Sequence, residues 1–166
     1  MQNSIAAFLD DWTRERASTL KVIQTLTDAS LSQRVSPEGR TLGFLAWHVV
    51  LSLVEMGGKA GLAVDKQAED APEPETAAEI ASAYEAASTL VADQVRLRWT
   101  DAMLADKLDL YGSTWTRGAV LDSLIKHQIH HRAQMTVLMR QAGLAVPGIY
   151  GPAREEWARM GMPPKR

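Results

Sequence analysis

The sequence predicts an all-α fold, a four-helix bundle with a short C-terminal helix, and three observations lead to that prediction. Apolar residues recur at steps of three and four positions through four long segments. Turn-forming residues separate these segments from one another. No segment shows the period-two alternation that is typical of a strand. We therefore expect four amphipathic helices that bury their apolar faces against one another.

The first two helices are predicted over residues 4–28 and 41–62. Ser4 is the expected N-cap of the first helix, because a serine side chain can satisfy a free N–H group of the first turn. The turn sequence Ser-Pro-Glu-Gly at 36–39 precedes the second helix. Thr41 is its expected N-cap, and the helix that follows is strongly apolar.

The last two long helices are predicted over residues 76–98 and 116–143. Thr76 is followed three residues later by Glu79, which is the pattern of a capping box. Gly143 is a suitable residue to end the fourth helix. We expect an exposed connection at 65–75, before the third helix. Short helical pieces are expected at 101–107, between the third and fourth helices, and at 153–160, near the C-terminus.

Length and composition favour one domain over residues 1–166. The absence of cysteine excludes disulfides and cysteine nucleophiles. Eighteen basic and twenty acidic residues give a net charge of −2, which disfavours a nucleic-acid partner. Neither a signal peptide nor an apolar stretch long enough to span a membrane is evident, so we expect a cytoplasmic protein without a membrane partner.

The positions of the histidines are the most informative feature of the sequence. His127 and His131 lie four residues apart and therefore share one face of the fourth helix, within its apolar stripe. His48 faces the core from the second helix. His130 falls at the margin of the stripe, where we expect it to be hydrogen-bonded or solvated rather than a ligand. Two helices of one bundle thus direct three imidazoles inward.

Three inward imidazoles favour a metal site. A lone histidine on an apolar face is more often a hydrogen-bonded core residue, but three together need more partners than an apolar core supplies. A divalent metal satisfies one nitrogen of each ring, and neutral imidazole is a common ligand of Zn²⁺ and Ni²⁺. We therefore predict one divalent ion, zinc or nickel, held by His48, His127 and His131. Three histidines leave coordination positions open, as catalytic sites do.

Glu55 is a candidate catalytic helper, because it lies seven residues after His48 on the same helix face. That spacing corresponds to a rise of about 10 Å, which is too long for both side chains to bind one ion. Glu55 can instead hold a water, contact the substrate or pair with a nearby basic residue. Pairing with lysine or arginine is the more common role of such a carboxylate.

Four more side chains are candidates near the predicted site. Gln134, a second catalytic helper, and Ser52 each lie one turn from a predicted ligand, where either can hydrogen-bond near the metal. Trp115 and Tyr150 flank the fourth helix and can line the mouth of a pocket. Ser52, Trp115 and Tyr150 are therefore the predicted substrate-binding residues, although helix packing is an ordinary alternative for each.

Three segments resemble the DinB-like family: Thr-Leu-Gly-Phe-Leu-Ala-Trp-His at 41–48, Lys-His-Gln-Ile-His-His-Arg-Ala-Gln-Met at 126–135, and the stretch at 140–152. Ala133 stands where the family usually has glycine. The resemblance implies an up-up-down-down type bundle, a metal bound by the histidines at 48, 127 and 131, and frequent homodimers. It also implies related branches that are thiol-dependent transferases and isomerases.

The function that these observations favour is a divalent-metal-dependent enzyme acting on a small molecule. It is either a hydrolase that uses a metal-bound water or a thiol-dependent transferase that uses a low-molecular-weight thiol. The alternative is a non-catalytic stress-response or ligand-binding bundle with a structural metal. The family's historical name, damage-inducible, suggests a DNA-binding module, which the charge balance disfavours. A homodimer is expected to use apolar side chains that we expect to be exposed, Trp99, Trp157 or Met160.

Overall fold

Four long helices form most of the computed structural model, which describes residues 3–64 and 70–163. They are α1 (Ile5–Ile23), α2 (Leu42–Lys59), α3 (Ala77–Arg98) and α4 (Arg117–Gln141). The described residues also contain a short α5 and three 3₁₀ turns: Arg154–Trp157, Asp28–Ser30, Asp101–Ala105 and Ala158–Met160. The predicted all-α bundle with a short C-terminal helix is confirmed. Of the predicted connection at 65–75, residues 65–69 lie outside the described residues.

The predicted N-caps are confirmed. The Ser4 side chain accepts a hydrogen bond from the backbone of α1, and Thr41 does the same for α2. Thr76 and Glu79 form the predicted capping box at the start of α3. The predicted end of α1 was five residues too late, because the chain leaves the helix at Gln24 and re-forms a separate 3₁₀ turn.

The helices pack as a ring in which α1 and α2 each contact both α3 and α4. Apolar side chains from all four helices fill the centre of the bundle, and burying them provides the main driving force for folding. The largest fully buried side chains are Trp12, Tyr84, Phe8, Ile23, Leu42, Leu53, Ile80, Leu110, Leu121, Leu124, Met135 and Leu138.

Contacts at one end of the bundle define the helix directions. The amide of Ile5, at the start of α1, donates to Asp101 just beyond the end of α3. Arg117, at the start of α4, lies over the ring of Trp99 at the end of α3. The same Arg117 donates to the carbonyl of Ala60, just beyond α2. The start of α1 and α4 therefore meets the end of α2 and α3, which gives an up-down-down-up order.

This order of directions differs from the up-up-down-down type that the resemblance implied. The physical reason is that α3 begins beside the start of α2 and runs parallel to it. The indole N–H of Trp47, in the first half of α2, donates to the carbonyl of Ala71 at 2.8 Å, shortly before α3 starts. An antiparallel α2–α4 pair results, and this pair carries the candidate site.

A two-stranded antiparallel hairpin precedes α4, so the expectation that the chain contains no strand was wrong. Strand β1 (Lys107–Leu110) pairs with β2 (Ser113–Thr116), and Leu108 lies opposite Trp115. Leu110 is buried, while Leu108 and Trp115 pack against the core from partly exposed positions. The hairpin is short, but its apolar face covers the end of the bundle next to α4.

Two further expectations concern the surface. Trp99 was expected to be exposed but is only 5% exposed, because Arg117 covers its ring. Trp157 is half-buried and Met160 is exposed. No helix in the described parts of the chain combines the length and the apolar character that crossing a membrane requires.

Candidate metal centre

Three histidines from two helices converge at one point between α2 and α4. His48 projects from α2, while His127 and His131 project from adjacent turns of α4. One nitrogen from each ring lies within 4.8 Å of the corresponding nitrogens of the other two. Antiparallel packing of α2 against α4 brings them together, because it places the middle of one helix against the middle of the other.

The donor set and its spacing fit a divalent metal ion. Zinc binds imidazole nitrogen at about 2.0–2.1 Å in tetrahedral geometry, so two ligand nitrogens on one ion lie about 3.3 Å apart. The Nε2 atoms of His127 and His131 are 3.2 Å apart, close to that separation. The centre of the His48 ring lies 5.1 Å from the centre of the His127 ring and 4.7 Å from that of the His131 ring.

Gln134 fixes the orientation of His131. Its Oε1 lies 2.7 Å from His131 Nδ1 and can only accept, so Nδ1 carries the proton. Nε2 of His131 is then the unprotonated nitrogen, and it faces the other two histidines. The same amide places its Nε2 3.2 Å from Nε2 of His130. His130 itself is exposed and is not a member of the three-histidine cluster.

The environment keeps all three rings neutral, which is the form that binds metals. Burial, together with repulsion of a positive charge by the neighbouring His131 and His48, lowers the pKa of His127 to about 4. Burial is also the largest cause that lowers the pKa of His48. The pKa of His131 is lowered for the same reason, although its hydrogen bond to Gln134 opposes the shift.

A pocket of about 470 Å³ opens beside the cluster. Besides two of the predicted metal ligands, three other predicted site residues line it, namely Ser52, Glu55 and Trp115. The Ser52 hydroxyl donates to the carbonyl of His48 at 2.6 Å, which leaves its oxygen lone pairs for the pocket. The other residues that line it are His48, Met56, Tyr111, Ser123, Lys126, His127 and His130.

The Glu55 carboxylate forms hydrogen bonds with two neighbouring side chains in the wall of this pocket. Lys59 donates to its carboxylate at 2.5 Å, and the Tyr111 hydroxyl also hydrogen-bonds to it. These bonds stabilise the ionised form, and the lysine bond is the largest cause that lowers the Glu55 pKa. Pairing with a basic residue, the common role considered from the sequence, is therefore what the structure shows.

Tyr150 lies away from this pocket, contrary to its predicted place at the mouth. Its hydroxyl donates to Glu15 on α1 at 2.8 Å and accepts a bond from Arg132 at 2.6 Å. Arg132 follows His131 directly, so its side chain leaves α4 on a different face from the histidines. Tyr150 therefore belongs to a polar network on that other face.

Two further side chains shape the surroundings of His48. The ring of Phe44, one turn earlier on α2, stacks on the His48 ring with centroids 5.8 Å apart. The guanidinium of Arg40 lies 5.0 Å from the centre of the Phe44 ring. The position of Phe44 beside His48 follows from their spacing of four residues on one helix, whereas sequence reasoning missed Arg40.

The fold and this site together define a four-helix bundle protein with a three-histidine cluster that can hold a metal ion. The chain belongs to the DinB family, whose model matches residues 1–166. The resemblance noted in the three sequence segments is thereby confirmed.

Individual relatives agree with this assignment. The chain is 43% identical over 162 residues to the protein YrdA of Bacillus subtilis (strain 168), covering 98% of this chain and 97% of the relative. A DinB-like protein from Bacillus cereus ATCC 10987 has a crystal structure with a TM-score of 0.86 and 43% identity, covering 90% of this chain and all of that one. The DinB-like protein YjoA of Bacillus subtilis shares the fold, with a TM-score of 0.67 at 18% identity over 88% of this chain and 99% of that chain.

Proposed function

We propose that this chain is a metal-dependent enzyme acting on a small molecule, with one zinc or nickel ion held by His48, His127 and His131. The observation that carries the proposal is the convergence of three neutral imidazoles beside an open pocket. Structural zinc sites are usually closed by a fourth protein ligand, whereas catalytic sites keep a position open. Among the described residues, the cluster comprises these three histidines and no fourth ligand.

The chain's own residues would orient the ligands and shape the space for substrate. Gln134 holds His131 with Nε2 toward the site, and Phe44 stacks on His48. Met56 and Trp115 provide apolar walls that exclude water from part of the pocket. A divalent ion bound there would supply Lewis-acid chemistry, lowering the pKa of a water or of a small thiol.

The state of Glu55 favours thiol transfer over hydrolysis. A general base works best when its pKa lies near the working pH, but Lys59 and Tyr111 hold the Glu55 pKa below its ordinary value. Among the described residues that line the pocket, Glu55 is the one carboxylate. A metal held by the three histidines would supply the acidity that ionises a small thiol, so thiol transfer would need no base from the protein. In the transfer the thiol sulfur would bond to an electrophilic carbon of the substrate, and the leaving group would depart with its bonding electrons.

Metal content is the first test of the proposal. Protein purified without a polyhistidine tag is analysed by elemental mass spectrometry, before and after reconstitution with zinc or nickel. We expect about one ion per chain in the wild type and in the control His130→Ala. His48→Ala, His127→Ala and His131→Ala should each lose it. Wild-type protein that takes up no metal after reconstitution would refute the proposal.

The reaction type is tested on the metal-loaded protein. We expect it to accelerate conjugation of cysteine to chlorodinitrobenzene, with formation of a carbon–sulfur bond and release of chloride, and His127→Ala to abolish the acceleration. Hydrolysis of nitrophenyl acetate serves as the competing assay. Acceleration of the ester reaction alone would identify a hydrolase. Acceleration of neither reaction by a metal-loaded protein would favour the non-catalytic alternative.

A further inference from the structure

Tyr111 adopts a backbone conformation that is unfavourable for its side chain. Leu110 pairs with Ser113, so Tyr111 and Gly112 form a two-residue turn between β1 and β2. Their φ angles are +51° and +73°. Turns with positive φ at both central residues favour asparagine, aspartate or glycine at the first, because larger side chains are strained there. Within the described residues Tyr111 is the only non-glycine residue with positive φ.

The contacts of Tyr111 place its ring at the mouth of the pocket beside the histidines. Its ring lines the same pocket as His48 and His127. Its hydroxyl bonds to Glu55, and the ammonium group of Lys59 lies 5.1 Å from the ring centre. The side chain nevertheless remains 55% exposed. Residues with a strained backbone of this kind cluster at ligand-binding positions, where their side chain makes contacts that a residue better suited to the turn would not make.

Trp115 provides a second aromatic surface in the same wall. Its ring centre is 6.2 Å from that of Tyr111, and the two planes are inclined by 70°. The position of Trp115 is fixed because it pairs with Leu108 across the hairpin and packs against the core. Met56 adds an apolar, adaptable side chain to the pocket. Aromatic rings favour stacked or edge-to-face partners at centre distances of about 4.5–7 Å.

We propose that Tyr111 and Trp115 form an aromatic clamp that selects substrates carrying an aromatic ring and holds that ring beside the three histidines. The inference rests on the proposed function and specifies its substrate class. Both residues determine specificity through binding and take no part in the chemical step. The hairpin is therefore a substrate-recognition element, and the strain at Tyr111 is the consequence of placing an aromatic side chain at its tip.

Two hydroxamic acids test the clamp in the zinc-loaded protein. Benzohydroxamic acid and acetohydroxamic acid present the same metal-chelating group, and they differ in carrying a phenyl ring or a methyl group. Isothermal titration calorimetry measures the binding of each. We expect benzohydroxamic acid to bind wild type at least about tenfold more tightly, since ring burial and aromatic contacts add to chelation.

Variants assign this preference to the two rings. Trp115→Leu and Tyr111→Asn should each reduce it to about twofold or less, chiefly by weakening the binding of benzohydroxamic acid. Tyr111→Phe keeps the ring and should keep the preference. Leu97→Ala, at a position 77% exposed on α3, is the control. Tyr111→Asn should melt within about 2 °C of wild type, because relief in the turn offsets the contacts it removes.

The outcomes separate the clamp from the metal site. If both compounds bind wild type equally, the clamp is overturned while the open metal position stands. A preference that survives both Trp115→Leu and Tyr111→Asn also overturns it. If zinc is bound but neither compound binds, the open metal position is refuted, and the proposed function fails together with the inference that rests on it.

Discussion

His131 is the candidate ligand whose direction another side chain fixes. A metal-binding imidazole usually donates its second N–H to a carbonyl or carboxylate, which sets the tautomer and raises the basicity of the ligand nitrogen. Gln134 fills that position for His131 at 2.7 Å, and both residues lie on α4, three positions apart. Since Gln134 also reaches His130, the exposed histidine supports the orienting amide rather than the ion. Gln134 thus makes the hydrogen bond near the candidate site that its spacing from His131 suggested, and its role as a catalytic helper stays a prediction.

Replacing Gln134 should weaken metal binding without unfolding the protein. We expect Gln134→Leu to lose about tenfold in zinc affinity, because His131 can then turn its protonated nitrogen toward the site. Gln141→Leu, the same substitution at the exposed end of α4, should bind zinc like the wild type. Competition with a chromophoric chelator measures both affinities. Equal affinity in the two variants would show that Gln134 does not orient the ligand.

Arg132 connects three elements of the structure through one buried guanidinium. It is only 3% exposed and donates to the Glu15 carboxylate of α1 at 2.7 Å and to the Thr19 hydroxyl at 3.0 Å. It also donates to the Tyr150 hydroxyl of the C-terminal segment. Buried next to this network, Gln128 accepts bonds from Thr19 and Tyr84. The face of α4 next to that of the histidines is thus held to α1 by hydrogen bonds as well as by apolar packing.

Loss of the Arg132 guanidinium should destabilise the bundle strongly. Arg132→Met leaves Glu15 as a largely buried carboxylate without its partner, and breaking such a pair costs about 3–5 kcal/mol. For a chain of this size we expect the melting temperature to fall by about 6–20 °C. Arg14→Met is the matched control, because Arg14 pairs with Asp11 at an exposed position where ion pairs contribute little. Similar melting temperatures for the two variants would contradict a structural role for Arg132.

The helices were predictable because each of them has several consistent local signals. Apolar periodicity, the caps Ser4 and Thr41 and the capping box at Thr76 all lie within a few residues of the boundaries that they define. The histidine spacing was equally local for His127 and His131. Placing His48 opposite them required only that α2 and α4 be neighbours, and the resemblance to a known family supported that arrangement.

The hairpin and the role of Tyr150 were harder to predict, for different reasons. A strand signal was present in Leu108, Leu110 and the Tyr-Gly turn. Each strand is only four residues long, however, so its alternation is hard to recognise between two long segments with helical periodicity. The position of Tyr150 depends on contacts with Glu15, which is 135 residues away in the chain. No local pattern specifies a contact between residues so far apart in the sequence. The sequence alone therefore did not show against which face of the bundle Tyr150 packs.

At the contact between α2 and α4, the side chains that suit metal binding conflict with those that would stabilise the whole folded molecule best. Three neutral imidazoles crowd between α2 and α4, where apolar side chains would pack better and where burial opposes protonation. The rest of the bundle offsets this cost with a continuous apolar core formed by all four helices. An ion that binds the native state and not the unfolded chain would recover stability by mass action.

Thermal unfolding with and without zinc should reveal that conflict. At a free zinc concentration about a hundredfold above its dissociation constant, binding contributes about 2.7 kcal/mol, which raises the melting temperature of a chain of this length by about 5–10 °C. His127→Leu removes one ligand and places an apolar side chain in a half-buried position. We therefore expect it to melt at or above the wild-type temperature in chelator and to gain nothing from zinc. His130→Leu should keep the full zinc response, because His130 lies outside the cluster. If zinc raised the melting temperature of His127→Leu as much as that of wild type, the ion would be bound somewhere other than between these three rings.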